Sequence, residues 1–231
     1  TISDGDAGDI NATDINTIAS ATNGTITISN NVDVNGTASA VNLALANVDT
    51  FSKAAVTATL SDAHNLTQLK GINNAVGGQI TLNDYTVALS GSTADLKAAL
   101  AGSFAAAYTG NVTISDANTI DITATDITQI EGDTTGTITV TNNIDINGTA
   151  AEVAAAVDDV NTFSGTPTAT LSNAHTLAEL KAINNKLSGT LTLNDYTVAL
   201  SGSSADVAAA LDLSLIHICR CRRRERGRSR W

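Results

Sequence analysis

Arginine, cysteine, methionine and tryptophan are missing from residues 1–212, and proline occurs once, at Pro167. No disulfide and no thiol nucleophile can operate in that stretch. Large side chains are scarce too, with three Phe and three Tyr in the whole chain, so many small contacts have to replace a conventional globular core. Lysine is nearly as rare. Up to residue 212 the Lys and Arg complement is Lys53, Lys70, Lys97, Lys181 and Lys186, which against 22 of the 23 acids leaves a net charge of −17. The whole-chain value of −11 conceals this, because seven arginines crowd between Arg220 and Arg230. So acidic a surface repels phosphates and anionic lipid, which excludes nucleic acid as a partner. No apolar run approaches the roughly 18 residues that a membrane helix needs, so membrane insertion is not expected. No charged-then-apolar leader precedes the first repeat and the chain opens on Thr1, so any export signal is expected upstream.

What the chain has is repetition. Thr1-Ile-Ser-Asp4 returns as Thr113-Ile-Ser-Asp116, and Asn35-Gly-Thr-Ala38 as Asn147-Gly-Thr-Ala150, both at an offset of 112. Later landmarks return at 111: Ala58-Thr-Leu-Ser61 as Ala169-Thr-Leu-Ser172, and the ten residues Leu82–Gly91 unchanged as Leu193–Gly202. One residue is therefore lost near Ser164. The chain divides into copy 1 (1–112), copy 2 (113–212, incomplete) and a foreign tail (213–231). Self-similarity of this kind marks a modular architecture.

Each copy splits again into four subunits of about 24 to 32 residues that open on a short alternating strand and close on a helix. In copy 2 the strands are expected at Val112–Ser115, Thr137–Thr141, Thr168–Leu171 and Thr190–Leu193. A second apolar stretch follows in three subunits, at Ile120 and Ile122, Ile144 and Ile146, and Val198 and Leu200, and is missing in the third. Helix starts carry a cap residue with an acid three positions on: Thr123 and Asp126, Thr149 and Glu152, Thr176 and Glu179, Ser203 and Asp206. Such a cap satisfies an orphaned backbone donor, an effect of about 1 kcal/mol. Leu177, Leu180, Ile183 and Leu187 follow helical spacing, and Gly189 stands where a terminating glycine is expected. Strand, turn, capped helix, strand is a parallel crossover, right-handed in almost all proteins. Iterated, it predicts an α/β repeat solenoid of short parallel strands and capped helices. The asparagine ladder of leucine-rich repeats is not evident. The alternative is an all-β repeat, a β-helix or sandwich, in which capping boxes would have no purpose.

Phrases such as Gly148-Thr-Ala-Ala-Glu-Val-Ala-Ala-Ala156 and Thr176-Leu-Ala-Glu-Leu-Lys-Ala-Ile-Asn184 resemble the tandem repeats of very large secreted or cell-surface bacterial proteins, adhesin-like proteins of marine species among them. The resemblance covers residues 1–212. It implies export, surface display at an extracellular or cell-surface location and an extended architecture, and it names no ligand. The function expected is a structural and adhesive module that is non-catalytic. Its expected partners are neighbouring repeats of the same chain, with glycans or other cell surfaces beyond them.

Three groups of residues are candidates for chemistry. Asp4, Asp6 and Asp9, with their counterparts Asp116, Asn118 and Asp121, keep side-chain oxygen at spacings that suit calcium, although the complete EF-hand pattern is absent. The competing reading is an Asx-rich turn that caps backbone groups, and no other cofactor is expected. The Thr-x-Thr pairs at Thr25/Thr27, Thr57/Thr59, Thr137/Thr139, Thr168/Thr170 and Thr190/Thr192 would form a flat hydroxyl and methyl array if their strands stack about 4.8 Å apart. That is the basis of an alternative function, binding to ice or a crystal surface. His64 and His175 occupy the same repeat position and lack further His or Cys ligands nearby, which favours a structural role. No phosphate loop, nucleophile elbow or cysteine nucleophile occurs in the repeats. A carbohydrate-active domain would need clustered aromatics, whereas only Tyr85, Tyr108 and Tyr196 are on offer.

After Asp212 the composition reverses. Leu213–Ile218 back-translates as CTG TCT CTT ATA CAC ATC, which resembles the transposon end used in sequencing libraries. Arg220–Arg223 and Arg228–Trp231 fit the adapter that follows it in order and frame. Cys219 and Gly227 depart from that match, standing where the adapter carries a stop and a cysteine codon. On this reading the tail is untranslated adapter sequence, and Cys219, Cys221 and His217 are not a metal site. Genomic DNA read across the locus should encode further repeat sequence after Asp212; a genomic Arg-Cys-Arg-Arg there would refute the adapter origin.

Overall fold

The computed structural model describes residues 1–51 and 55–211; Lys53, Asp212 and the adapter-like tail lie outside the described residues. Eight helices and fourteen strands occur among them. β1 (Asp9–Asn11) leads into α1 (Ala12–Ala21), and β2 (Thr27–Ile28) and β3 (Asp33–Gly36) lead into α2 (Ala38–Asn47). β4 (Thr50–Phe51) and β5 (Thr57–Leu60) precede α3 (Leu66–Ala75), and β6 (Ile80–Thr81) and β7 (Leu89–Gly91) precede α4 (Thr93–Leu100). Copy 2 repeats the plan with β8 (Val112–Ile114), β9 (Asp121–Thr123) and α5 (Ala124–Asp133), then β10 (Ile138–Val140), β11 (Asp145–Gly148) and α6 (Ala150–Asp159). β12 (Thr162–Phe163), β13 (Thr168–Leu171) and α7 (Leu177–Lys186) follow, and β14 (Leu191–Thr192) and α8 (Ser204–Leu211) close the series.

Every strand ladder is parallel and joins residues 22 to 26 apart in sequence. A parallel pair needs a crossover of a dozen or more residues, and one turn, strand and helix supply it. The four-stranded sheets run β1-β3-β5-β6, β7-β8-β10-β12 and β9-β11-β13-β14, with a two-stranded β2-β4. The mixed α/β class with parallel strands agrees with the sequence, and the all-β alternative does not survive eight helices. Alternation turns one row of each strand inward: Ile10, Val34, Ala58 and Ile80 stack in register, as do Ile122, Ile146, Ala169 and Leu191, all buried. Each helix packs on the next one in the chain. Small residues set how closely they approach. In α6 the buried face is Ala150, Val153, Ala156 and Val157, and in α2 it is Ala38, Val41, Ala44 and Leu45.

The capping expectations divide by side-chain length. Thr149 with Glu152 and Thr176 with Glu179 close full reciprocal boxes, and Asn65 with Gln68 forms a third. Thr123 makes no such cap. Where the third position is Asp, the shorter carboxylate turns instead to a lysine of the preceding helix, in the pairs Lys70–Asp95, Lys97–Asp126 and Lys181–Asp206. Half-exposed pairs of this kind contribute about 0–1 kcal/mol each, but they recur between successive helices. Gly189 is not a left-handed helix terminator, since α7 ends in an extended Leu187. A Cβ on Gly189 would instead fall 2.2 Å from the Pro167 carbonyl oxygen, so close backbone approach requires the glycine.

Two features depart further from expectation. The third subunit does not lack a second stretch: β12 lies ahead of β13, and β4 ahead of β5, so each third subunit also holds two strands. Asn and Asp side chains do link successive subunits. Asp49 accepts the Ile26 N–H and Asn161 the Ile138 N–H, both at 2.7 Å. Asp62 and Asn173 accept the N–H of Ala38 at 2.6 Å and of Ala150 at 2.8 Å, the first residues of α2 and α6. Each of these helices is thus capped both by the residue before it and by a side chain 23 or 24 residues further along the chain. Asn173→Ala should therefore lower stability by about 1 kcal/mol, as loss of an N-cap does, although Asn173 lies outside α6, while Asn173→Asp should cost less. Urea midpoints check this, and an unchanged Asn173→Ala would show the distant cap to be idle.

Candidate functional site

The six calcium candidates fall on two equivalent turns. Asp6 Oδ1 accepts the Asn31 N–H at 3.0 Å, and Asn118 Oδ1 the Asn143 N–H at 2.9 Å. The N–H groups of Ala7 and Thr119 return to the carbonyls of Asn31 and Asn143 at 2.6 and 2.7 Å. These reciprocal clamps hold Ala7 and Thr119 at φ of 61° and 65°, an unfavourable region for a β-branched residue such as Thr119. Asp116 turns elsewhere, its Oδ2 accepting from the Thr93 N–H at 2.8 Å and the Thr93 hydroxyl at 2.6 Å. Asp4 offers its backbone carbonyl to the Asn30 amide at 2.5 Å. Asp9 and Asp121 open β1 and β9, in register with Asp33 and Asp145. Among the described residues no group of three or more His, Cys, Asp or Glu is gathered to hold a metal ion.

The threonine pairs are not brought onto one surface. Thr27 lies in β2, Thr57 and Thr59 in β5, Thr139 in β10, Thr168 and Thr170 in β13 and Thr192 in β14, so the set is spread over all four sheets. Within β9-β11-β13-β14 the outward rows read Asp121, Asp145, Thr168 and Thr123, Asn147, Thr170, Thr192. Carboxylates and amides interrupt the hydroxyls. They also engage them: Thr168 and Thr170 donate to the two oxygens of Asp145 at 2.6 and 2.9 Å, and Thr57 donates to Asp33 at 2.7 Å.

The most elaborate polar arrangement lies where the two copies meet. His64, 4% exposed, sits in the turn between β5 and α3, and its Nε2 lies 3.2 Å from the Tyr108 hydroxyl. That hydroxyl donates to the Val87 carbonyl at 2.6 Å, so it accepts from His64, which fixes the proton on Nε2. Burial raises the Tyr108 hydroxyl far above its ordinary pKa of 10.0, with the Asp84 charge adding to the effect. Phe104 bridges to β6 through Ile80 and lies 6.0 Å from the Tyr108 ring. A cavity of about 270 Å³ opens beside them, lined by Leu100, Phe104, Tyr108, Asp133 and Thr134 among others. Burial pushes the Asp133 carboxyl above its ordinary pKa, and its Oδ2 has no hydrogen-bond partner. His175, 5% exposed, occupies the equivalent turn between β13 and α7. The structural role expected of both histidines matches these positions. Apart from Tyr108 as one of three tyrosines, residues 102–111 carry no signal in the sequence, because the segment joins two copies and one full joint cannot show a period.

No protein-family model matches the chain, and no curated protein matches it. A protein of Burkholderia cenocepacia J2315, proposed to be a lyase/mutase and known as a crystal structure, aligns with 85% of this chain and 78% of its own at 13% identity. Its TM-score of 0.17 is too low to carry any argument about fold or activity.

Burial sets the pH dependence of the joint. It holds both histidines below their ordinary value of 6.5, opposed by Asp84 and Asp62 at His64 and by Glu179 and Asp195 at His175. The unfolded chain therefore takes up protons first as pH falls. Stability from these groups is complete above pH 6.5 and drops as pH falls below it toward the depressed folded-state values. Carboxylates whose folded-state values are depressed act in a lower range, around pH 4 and below. Urea unfolding between pH 7.5 and 5 should show this loss, and His64→Gln, which keeps a donor for Tyr108, should remove part of it. A flat profile would contradict the assignment.

Proposed function

We propose that this chain is part of a structural and adhesive repeat module of a large extracellular or cell-surface bacterial protein, without catalytic activity, and that its coils stack as an α/β solenoid. The observation that carries the reading is that the same inter-coil contacts recur in both copies at equivalent positions. Asp6 with Asn31 is repeated by Asn118 with Asn143, Asp62 with Ala38 by Asn173 with Ala150, and Lys70 with Asp95 by Lys181 with Asp206. Polar side chains that in a catalytic domain would converge on one cleft are distributed here along the stack, at one set per coil. A module built this way gains length by adding units, and each unit contacts chiefly its neighbours.

The acidic surface fits the same reading. The lysines at 70, 97, 181 and 186 each pair with an Asp of a neighbouring helix, and among the described residues the other acids have no lysine paired to them. Long-range repulsion among such surfaces keeps chains extended and apart, and short-range contacts with glycans or other cells then act at close approach. No helix among the described residues is long and apolar enough to cross a membrane.

Antibodies raised against the chain should label intact, unpermeabilised cells of the organism that makes it, and beads coated with the chain should attach to those cells or to glycan-coated surfaces. Labelling confined to lysed cells would overturn surface display. Beads that attach no better than uncoated ones would overturn the adhesive role.

A further inference from the structure

We infer that the end face formed by Leu200–Gly202 and α8 is a docking surface for the joining segment of a further copy of this repeat, with a tyrosine seated on His175 as Tyr108 is on His64. The inference rests on the repeat-module reading above and identifies the partner of one face of the stack. Its starting point is a comparison of identical sequence in two settings. Leu82–Gly91 and Leu193–Gly202 share all ten residues. In the first, Leu89–Gly91 is strand β7; in the second, Leu200–Gly202 is in no strand. Local propensity cannot account for the difference. What differs is the neighbour, since β7 pairs in register with β8 of the following copy.

Burial follows the same division. Leu100 is 2% exposed and its counterpart Leu211 is 40% exposed. Leu96 is fully buried where Val207 is only half-buried, and Tyr85 is half-buried where Tyr196 is 56% exposed. In copy 1 the covering segment is residues 102–116. Thr109 donates its N–H to the Tyr85 carbonyl at 2.9 Å, Leu89 donates to Asn111 at 2.9 Å, and Ser115 donates to Gly91 at 2.8 Å. Asp116 caps α4 at Thr93, and Tyr108 closes on His64 and Val87. The receiving groups are repeated at the other end: Tyr196 for Tyr85, Leu200 for Leu89, Gly202 for Gly91, Ser204 for Thr93, Val198 for Val87 and His175 for His64.

The occupant is therefore specified by chemistry. It carries an aromatic pair four residues apart that fills the space between the β14 end and His175, then a short strand alternating Val or Ile with Thr, then an Asp that reaches the α8 N-terminus. At the position equivalent to Tyr108 this chain has Cys219, outside the described residues.

The test compares the full chain with a version in which residues 213–231 are exchanged for a second copy of residues 102–135, using amide hydrogen exchange resolved by residue and NMR titration of the histidines. The exchange of the Leu200 and Gly202 amides should slow by about 100-fold or more, toward the rates at Leu89 and Gly91. The His175 titration should move to lower pH, because the added segment buries it further, and replacing that segment's tyrosine by alanine, which uncovers the ring, should reverse most of the His175 shift while leaving the strand protected. Fast exchange at Leu200–Gly202 in the extended chain, with Leu89–Gly91 protected in the same sample, would overturn the docking inference alone. Loss of protection at Leu89–Gly91 as well would instead count against the stacked-coil reading. Concentration-dependent protection of Leu200–Gly202 in the unextended chain would overturn the assigned occupant in favour of a second copy of the chain.

Discussion

Each strand-and-helix unit of this protein depends on its neighbours in sequence for its backbone hydrogen bonds. Parallel strands two to four residues long cannot pair within a unit, so every ladder spans 22 to 26 residues of sequence and every strand borrows its partner from an adjacent turn of the chain. The Asn and Asp side chains extend the same principle to groups that the ladders leave over: helix N-termini at Ala38, Ala150 and Thr93, and strand or turn amides at Ile26, Ile138, Asn31 and Asn143. Buried backbone donors need partners, and here a short side chain one unit away meets the need.

That constraint shapes the composition. With ladders setting the spacing between units, most inward positions are filled by Ile, Val, Leu and Ala, and the helices approach through alanines. Of the aromatics, Phe51 and Phe163 sit in strands β4 and β12, and Phe104 and Tyr108 at the joint between copies. There β7 and β8 still pair, whereas β6 and β9 fall in different sheets, and His64, Tyr108 and Val87 form a hydrogen-bonded chain beside them. Charge is arranged on the same plan. Lysines link helix to helix and acids are left over, so repetition of the unit accumulates negative surface.

Much of the fold was legible. The four helices of copy 2 begin directly after the marked residues Thr123, Thr149, Thr176 and Ser203, and Thr168–Leu171 is a strand with the bounds its alternation gives. Glu152 and Glu179 close the boxes their spacing suggests, whereas Asp126 and Asp206 do not, because a carboxylate one methylene shorter pairs with lysine across the gap between helices. The candidate sites were less legible. The spacing of Asp4, Asp6 and Asp9 allows calcium ligands as well as the Asx-rich turn it favours, and only the position of Asn31, 25 residues along the chain, shows where the Asp6 oxygen is directed. The threonine pairs satisfy the period of an ordered array, but the strand register sets Asp145 and Asn147 between them.

By itself the sequence determined the repeat, its period, the alternation of strand and capped helix, and which residues face inward, because these follow from spacing along one chain. Tertiary structure decided what the polar side chains do and whether a given stretch is a strand at all. Leu89–Gly91 and Leu200–Gly202 are the same three residues in the same local context, and only the first is paired. The reason is physical: a β-strand this short has no internal hydrogen bonds, so its existence is a property of the strand beside it and not of its own residues.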